Sequence, residues 1–250
     1  YGTTACCLKT MATDRTAVIG FPVDHSLSPI IHNHWIKELG LDIKPYEKIN
    51  VDPNKFEEQI NNLKAEGYGG LNVTVPLKEL AFSISDETSS VSKKLKSVNT
   101  LSLNSEKIDG DNTDAVGFIN SLDEKTIENN ITNKKTLVLG AGGSARSVAY
   151  ALNELGGHVR LFNRTLEKAE ILLDDLSINS SPVGAEELDD YANSSSFIVN
   201  TTSLGQKAGE HNNILRFENI EMETFIYDLI YNPKRSSFLE QAEAKGLKVQ

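Results

Sequence analysis

The stretch that decides the fold is KTLVLGAGGSAR, residues 135–146. Its apolar run, Leu137 to Leu139, breaks into Gly140, Ala141, Gly142 and Gly143, and helix-favouring residues follow. A short apolar run bounded by glycine reads as a buried strand. Glycine in the turn lets the backbone come close to a pyrophosphate, which then rests on N–H groups at the start of a helix. Ala145 stands where the dinucleotide fingerprint has its third small residue. A glycine trio alone is a weak signal, since any tight turn uses glycine. Here the context is right: a strand precedes it, the helix SARSVAYALNELG (144–156) follows, and HVRLFN (158–163) supplies a second strand.

That second strand ends in FNRT, residues 162–165. An NAD site carries an acidic residue at this point to hold the ribose 2′-hydroxyl. This chain has Asn163 and Arg164, with Lys168 one turn further on. A carboxylate would repel a 2′-phosphate, whereas a guanidinium grips it with two hydrogen bonds. The site therefore favours NADP.

Outward from this point, strands alternate with helices through most of the chain. Before it come the strands TAVIGF (16–21), YEKINV (46–51) and LNVTV (71–75), then an extended pair, VNTLSL (98–103) and KIDGDNTD (107–114), joined by a turn. After it come SFIVN (196–200), TFIYDLI (224–230) and LKVQ (247–250). Ser28-Pro29 and Asp52-Pro53 read as helix starts, a capping side chain followed by proline at the first helical position. Residues 78–96 are weakly helical, DAVGFINSL from residue 114 reads as a connecting helix, and 120–134 and 177–181 read as linker and loop. The alternation predicts an α/β protein with a parallel, doubly wound sheet, and a second series of elements begins near residue 115.

At 250 residues the chain suits two modest domains, and 39% hydrophobic residues are enough for sizeable cores. A net charge of −10 argues against nucleic acid and anionic membranes as partners, though local basic groups can still hold an anionic substrate. Cys6 and Cys7 are adjacent, so no disulfide framework is expected and the chain reads as cytoplasmic. His25, His32 and His34 lack the spacing of a metal site. Met11 is read as the true start, with residues 1–10 extraneous.

Several polar residues stand at the ends of extended segments. In LNVTVPLK (71–78) Pro76 should stop the strand, leaving Thr74 and Lys78 at its carboxyl end, where α/β sheets bind ligands. Ser26 and Ser28 in HSLSPIIHN (25–33) would suit a carboxylate, with capping as the simpler role for Ser28. Asn99, Asn112 and Asp114 each read singly as turn formers. Taken with Thr74 and Lys78 they describe a pocket that binds several hydroxyls and holds a Lys–Asp pair. Reduction of a carbonyl needs such a pair, because the developing alkoxide requires a proton or a positive charge.

These motifs together, AVIGFPVDHSLSPIIHN, NVTVPLK, VNTL, GDNTD, GAGGSAR, NRT, NTTSLG and YNP, resemble the shikimate dehydrogenase family from about Ala17 to the end of the chain, in order and spacing. The resemblance implies an N-terminal α/β substrate-binding catalytic domain, residues 11–114, and a Rossmann-type NADP domain, residues 115–250. The implied reaction is reversible reduction of 3-dehydroshikimate to shikimate by NADPH, in the route to aromatic amino acids. Carried onto this sequence, it assigns Ser26 and Ser28 to the substrate carboxylate and Thr74, Asn99 and Asp114 to the ring hydroxyls. Lys78 and Asp114 become the catalytic pair, and Tyr231 a further substrate contact. Gly140, Ala141, Gly142, Gly143 and Ser144 would cradle the pyrophosphate. Asn163, Arg164 and Lys168, with Thr165 among them, would meet the 2′-phosphate, and Thr202 and Leu229 would line the nicotinamide side. The partner is then a small-molecule substrate, with a homodimer as the protein assembly considered.

Two departures stand out. Ser97 replaces an alanine common in the family. The family also continues past GLKVQ with a turn and a helix whose glutamine reaches the substrate, so the expectation is a C-terminally truncated chain. The alternatives are a quinate/shikimate dehydrogenase of relaxed specificity and a truncated, non-catalytic NADP-binding fragment. A methylenetetrahydrofolate dehydrogenase-like enzyme is disfavoured by Ser26, Ser28 and GDNTD, and a non-catalytic regulator by the presence of both Lys78 and Asp114.

Overall fold

The computed structural model describes residues 14–104, 106–205 and 214–250, so the reading of Met11 as the start lies outside the described residues. The chain divides into two compact units, one running to Asn112 and the other from Thr113 to Gln250.

The first unit has β1 (Arg15–Gly20), α1 (Ser28–Glu38), β2 (Glu47–Asn50), a 3-10 turn (Pro53–Lys55), α2 (Phe56–Ala65), β3 (Tyr68–Val73), α3 (Lys78–Ile84), β4 (Glu87–Thr88), α4 (Ser90–Leu95), β5 (Thr100–Leu103) and β6 (Ile108–Asp111). Its sheet runs β2-β1-β3-β5-β6-β4. β1 pairs in parallel with β2 and β3, while β5 is antiparallel to β3 and β6. The sheet is therefore mixed, because the short β5–β6 connection leaves no room for a crossover helix. Ala17, Ile19, Leu71, Val73 and Leu101 pack on one face with Phe56, Ile60 and Leu63 of α2. On the other side Val18 packs with Val23 and Tyr46.

Two local readings change. Ser28 is the first residue of α1 and makes no capping bond. Pro29 stands second in the helix, so the turn begins one residue earlier than the Ser-Pro rule places it. Asp52 does cap its turn, accepting from the Asn54 amide at 2.9 Å. β3 starts at Tyr68 and stops at Val73, so Thr74 lies just past the strand rather than within it.

The second unit has α5 (Asp114–Asn120), α6 (Glu124–Thr126), a π-helical turn (Ile127–Ile131), β7 (Lys135–Leu139), α7 (Gly143–Glu154), β8 (His158–Phe162), α8 (Leu166–Leu176), α9 (Leu188–Asn193), β9 (Phe197–Asn200), β10 (Phe225–Asp228), α10 (Ser237–Lys245) and β11 (Lys248–Val249). Its five strands run β11-β10-β9-β7-β8, all parallel. Leu137, Val138 and Leu139 are fully buried, as a central parallel strand covered on both faces requires. The strand order reverses between β7 and β9, which opens the crevice where doubly wound sheets bind ligands. Residues 124–131, read as linker, are helical instead. Asn130 anchors them by donating to the Ser196 and Glu223 carbonyls, and Ile131 is fully buried. Among the described residues no helix is long and apolar enough to cross a membrane.

Candidate active site

In the first unit the candidate substrate ligands gather where β1 and β3 end. Gly20 closes β1, and a Cβ on it would lie 2.6 Å from the Thr74 methyl, so only glycine lets the two chain segments approach this closely. The Thr74 amide donates to the Ile19 carbonyl at 2.9 Å, and Phe21 N–H donates to the Val75 carbonyl at 3.2 Å. Asn50 at the end of β2 accepts from the Val23 amide at 2.9 Å and so holds the loop that leads to Ser26. The two serines meet there, with Ser26 Oγ 3.2 Å from Ser28 Oγ and accepting from the Ser28 amide at 3.3 Å. The Ser28 hydroxyl is thus not spent on capping.

Thr74, Lys78 and Asn99 are tied together by main chain. Leu77 N–H donates to the Thr74 carbonyl, Val98 N–H to Lys78, and Val73 N–H to Asn99, at 3.0, 3.0 and 2.7 Å. Lys78 is the first residue of α3 and Asn99 directly precedes β5. Asn112 is a buried structural residue, its amide donating to the Ser97 carbonyl at 3.0 Å. Sequence reasoning missed a relay behind Asn99. The Tyr46 hydroxyl donates to Asn72 Oδ1 at 2.6 Å, Asn72 Nδ2 reaches Thr100 Oγ1 at 3.4 Å, and Thr100 donates to Asn99 Oδ1 at 2.9 Å. The Tyr46 ring stacks on His32 at 4.2 Å, and burial pushes its phenol pKa well up, so it stays a donor. Asp114 and Tyr231 belong to the second unit: Asp114 opens α5, and Tyr231 follows β10 with its side chain exposed.

In the second unit the glycine turn combines a left-handed residue with open backbone. Gly140 has φ +113°, and a Cβ there would lie 2.6 Å from Thr201 Oγ1. Gly142 and Gly143 differ, since a Cβ on either meets nothing within 4 Å. They and Ser144 stand at the mouth of α7, while Ala145 is fully buried beneath it. Beside the turn is a cavity of about 690 Å³ whose walls include Gly140, Asn163, Arg164, Leu166 and Thr202. Ala141, Thr165, Lys168 and Leu229 are not in that wall. Thr165 precedes α8 without capping it by side chain, and Arg164 and Lys168 are exposed around that helix start. Asn163 has a different immediate task from direct phosphate binding: its amide donates to the Thr165 carbonyl at 2.7 Å and shapes the turn.

Comparison with known proteins identifies the two halves. Residues 18–101 match the family model described as "Shikimate dehydrogenase substrate binding domain", and residues 121–234 the one described as "Shikimate / quinate 5-dehydrogenase". The chain belongs to the shikimate dehydrogenase family. It is 39% identical over 244 residues to a "Shikimate dehydrogenase (NADP(+))" of Brucella melitensis, covering 96% of this chain and 84% of that one. It is 37% identical over 238 residues to the one from Methylocella silvestris, covering 95% and 84%. Shikimate 5-dehydrogenase from Thermus thermophilus, solved with NADP(H) and shikimate, superposes with a TM-score of 0.83 at 35% identity, covering 94% of this chain and 86% of that one. The Aquifex aeolicus shikimate dehydrogenase gives 0.85 at 36%, covering 94% and 85%.

Proposed function

We infer that the protein is an NADP-dependent oxidoreductase that interconverts 3-dehydroshikimate and shikimate. The observation that carries this is the open glycine turn beside a cavity walled by Arg164, in a chain of this family. NADPH, when bound, supplies the hydride. The space over Gly142 and Gly143 fits a pyrophosphate at the mouth of α7, with Ser144 and Ala141 beside it. The guanidinium of Arg164 and the ammonium of Lys168 suit the 2′-phosphate, on a turn that Asn163 and Thr165 shape. Thr202 and Leu229 serve the nicotinamide half.

On the substrate, the paired Ser26 and Ser28 hydroxyls suit the carboxylate, and Thr74 and Asn99 the ring hydroxyls. Lys78 supplies the proton, or the charge, that the carbonyl oxygen needs as its carbon becomes an alcohol. Asp114 completes the pair, and Tyr231 adds a contact. A cytoplasmic enzyme acting as a homodimer is the rest of this proposal, the dimer being testable by sedimentation. The central test is NADPH oxidation by the purified protein with 3-dehydroshikimate, with NADH and then quinate plus NAD as controls. Turnover led by NADPH is expected. Faster turnover of quinate with NAD would move the reading to a quinate/shikimate dehydrogenase, and no turnover with either pair would overturn it.

A further inference from the structure

Asp228 is a buried carboxylate that the reaction itself does not use. It is the last residue of β10 and only 7% exposed. Its Oδ1 accepts from the Ile230 amide at 3.0 Å and from Asn200 Nδ2 at 3.0 Å. Its Oδ2 accepts a short bond from the Ser236 hydroxyl, the residue that caps α10 through the Leu239 amide. Burial raises its pKa, the three donors oppose that rise, and none of them is a cation. Asn200, the last residue of β9 and fully buried, passes the constraint on. With its amide nitrogen held by a group that only accepts, its oxygen must point the other way. That oxygen accepts both from the Thr202 amide, at 3.1 Å, and from the Thr202 hydroxyl, at 2.7 Å. The Thr202 proton is thereby committed inward, and its methyl comes within 3.2 Å of the point a Cβ on Gly140 would occupy.

One carboxylate therefore holds two loops that leave adjacent strands, the one carrying Thr202 and the one carrying Leu229 and Tyr231. We propose that Asp228 is a positioning residue for the nicotinamide half of the cofactor, acting on Thr202 through Asn200 and on the 229–231 backbone through the Ile230 amide. The proposal rests on the NADP reading above. The adenosine half, at Arg164, follows a different strand end, that of β8, and none of these hydrogen bonds reaches it, although Arg164 and Thr202 wall the same cavity.

The test separates the two halves of the cofactor. Asp228→Asn keeps one accepting oxygen but puts a donating amide NH2 against Ser236, whose hydroxyl proton then loses its acceptor. Its kcat with NADPH and 3-dehydroshikimate should fall by about 10- to 100-fold, the scale of a misplaced reacting group. Its affinity for 2′,5′-ADP, which carries only the adenosine half, should stay within about twofold of wild type, as for independent sites. Equal weakening of 2′,5′-ADP and NADPH binding, or an unchanged kcat, would overturn the proposal. Thr202→Val removes the hydroxyl at the far end of the relay while leaving the hydrogen bonds of Asp228 in place, and it too should lower kcat. An unchanged kcat there would refute the relay even where Asp228→Asn fails to fold. Failure of the NADP reading itself would show in the wild type, as no binding of 2′,5′-ADP.

Discussion

Alanine at Gly140 and at Gly142 should separate the folding role of the glycine turn from its binding role. At Gly140 the backbone has φ +113°, which side-chain-bearing residues rarely adopt. Holding alanine there costs on the order of 1–3 kcal/mol. Its Cβ would also stand 2.6 Å from Thr201 Oγ1, whose proton goes to the Leu139 carbonyl at 2.7 Å. Turning Thr201 away sacrifices that bond, about 1 kcal/mol. The sum, about 2–4 kcal/mol, should lower Tm by roughly 5–15 °C for a chain of this length. At Gly142 the backbone is ordinary, φ −96° and ψ −171°, and the added Cβ meets nothing. Losing glycine at the helix cap and stiffening the unfolded chain act in opposite directions, each by under about 1 kcal/mol. Stability should hold, but the methyl would fill the space assigned to the pyrophosphate. Overpacking of about 1–3 kcal/mol would weaken NADPH binding by roughly 5- to 150-fold. Thermal unfolding followed by circular dichroism and NADPH titration by calorimetry measure both quantities. A Gly142→Ala protein that binds NADPH like the wild type would refute the placement of the pyrophosphate. A Gly140→Ala protein that melts like the wild type would refute the strain argument.

Lys78→Ala should lower kcat by about 10²–10⁴-fold with a smaller change in KM, as loss of a general acid does; a near-normal kcat would remove it from the mechanism. Arg164→Ala should cost NADPH about 1.5–3 kcal/mol of binding and leave NADH almost untouched; equal losses in the two Kd values would make its role structural. Ser28→Ala should raise KM for 3-dehydroshikimate yet change Tm little, because Ser28 makes no capping bond; a Tm loss worth the ~1 kcal/mol of a lost cap would contradict this. Burial raises the pKa of Asp228, so its contribution to stability is present below the ordinary carboxylate value, about 3.9, and is lost as pH rises through the raised folded value. The Tm advantage of wild type over Asp228→Asn should therefore shrink across that window, and a gap that widens with pH would show the opposite shift.

Much of the fold is written in local signals. The glycine turn after Leu139, the alternation of strands and helices and the buried stripe Phe56, Ile60 and Leu63 each need only a few neighbouring residues to be read. The exceptions follow one pattern. Ser28 looks like a cap because Ser-Pro usually is one, but here the helix starts at Ser28 itself and Ser26 accepts its amide. Residues 124–131 look like linker because they are polar, but Asn130 finds its partners at Ser196 and Glu223, far along the chain. Propensity weighs a residue against its neighbours, and tertiary contacts override it.

The candidate site divides along the same line. By itself the sequence determines which chemical groups are present and their order: the hydroxyl pair, the lysine after a proline-stopped strand, the glycine turn, and arginine where an NAD site has an acid. Charge and turn chemistry are properties of single residues, so they survive without coordinates. Only the tertiary structure decides how those groups are held. Tyr46 reaches Asn99 through Asn72 and Thr100, Gly20 makes room for Thr74, and Asp228 reaches Thr202 through Asn200. The links that close these networks, Tyr46 to Asn72, Asn72 to Thr100, Gly20 to Thr74 and Asn200 to Asp228, join segments far apart in sequence, and reach between such residues is set by sheet order and register. A linear reading carries neither, because a buried asparagine or aspartate looks the same in sequence as one that merely shapes a turn.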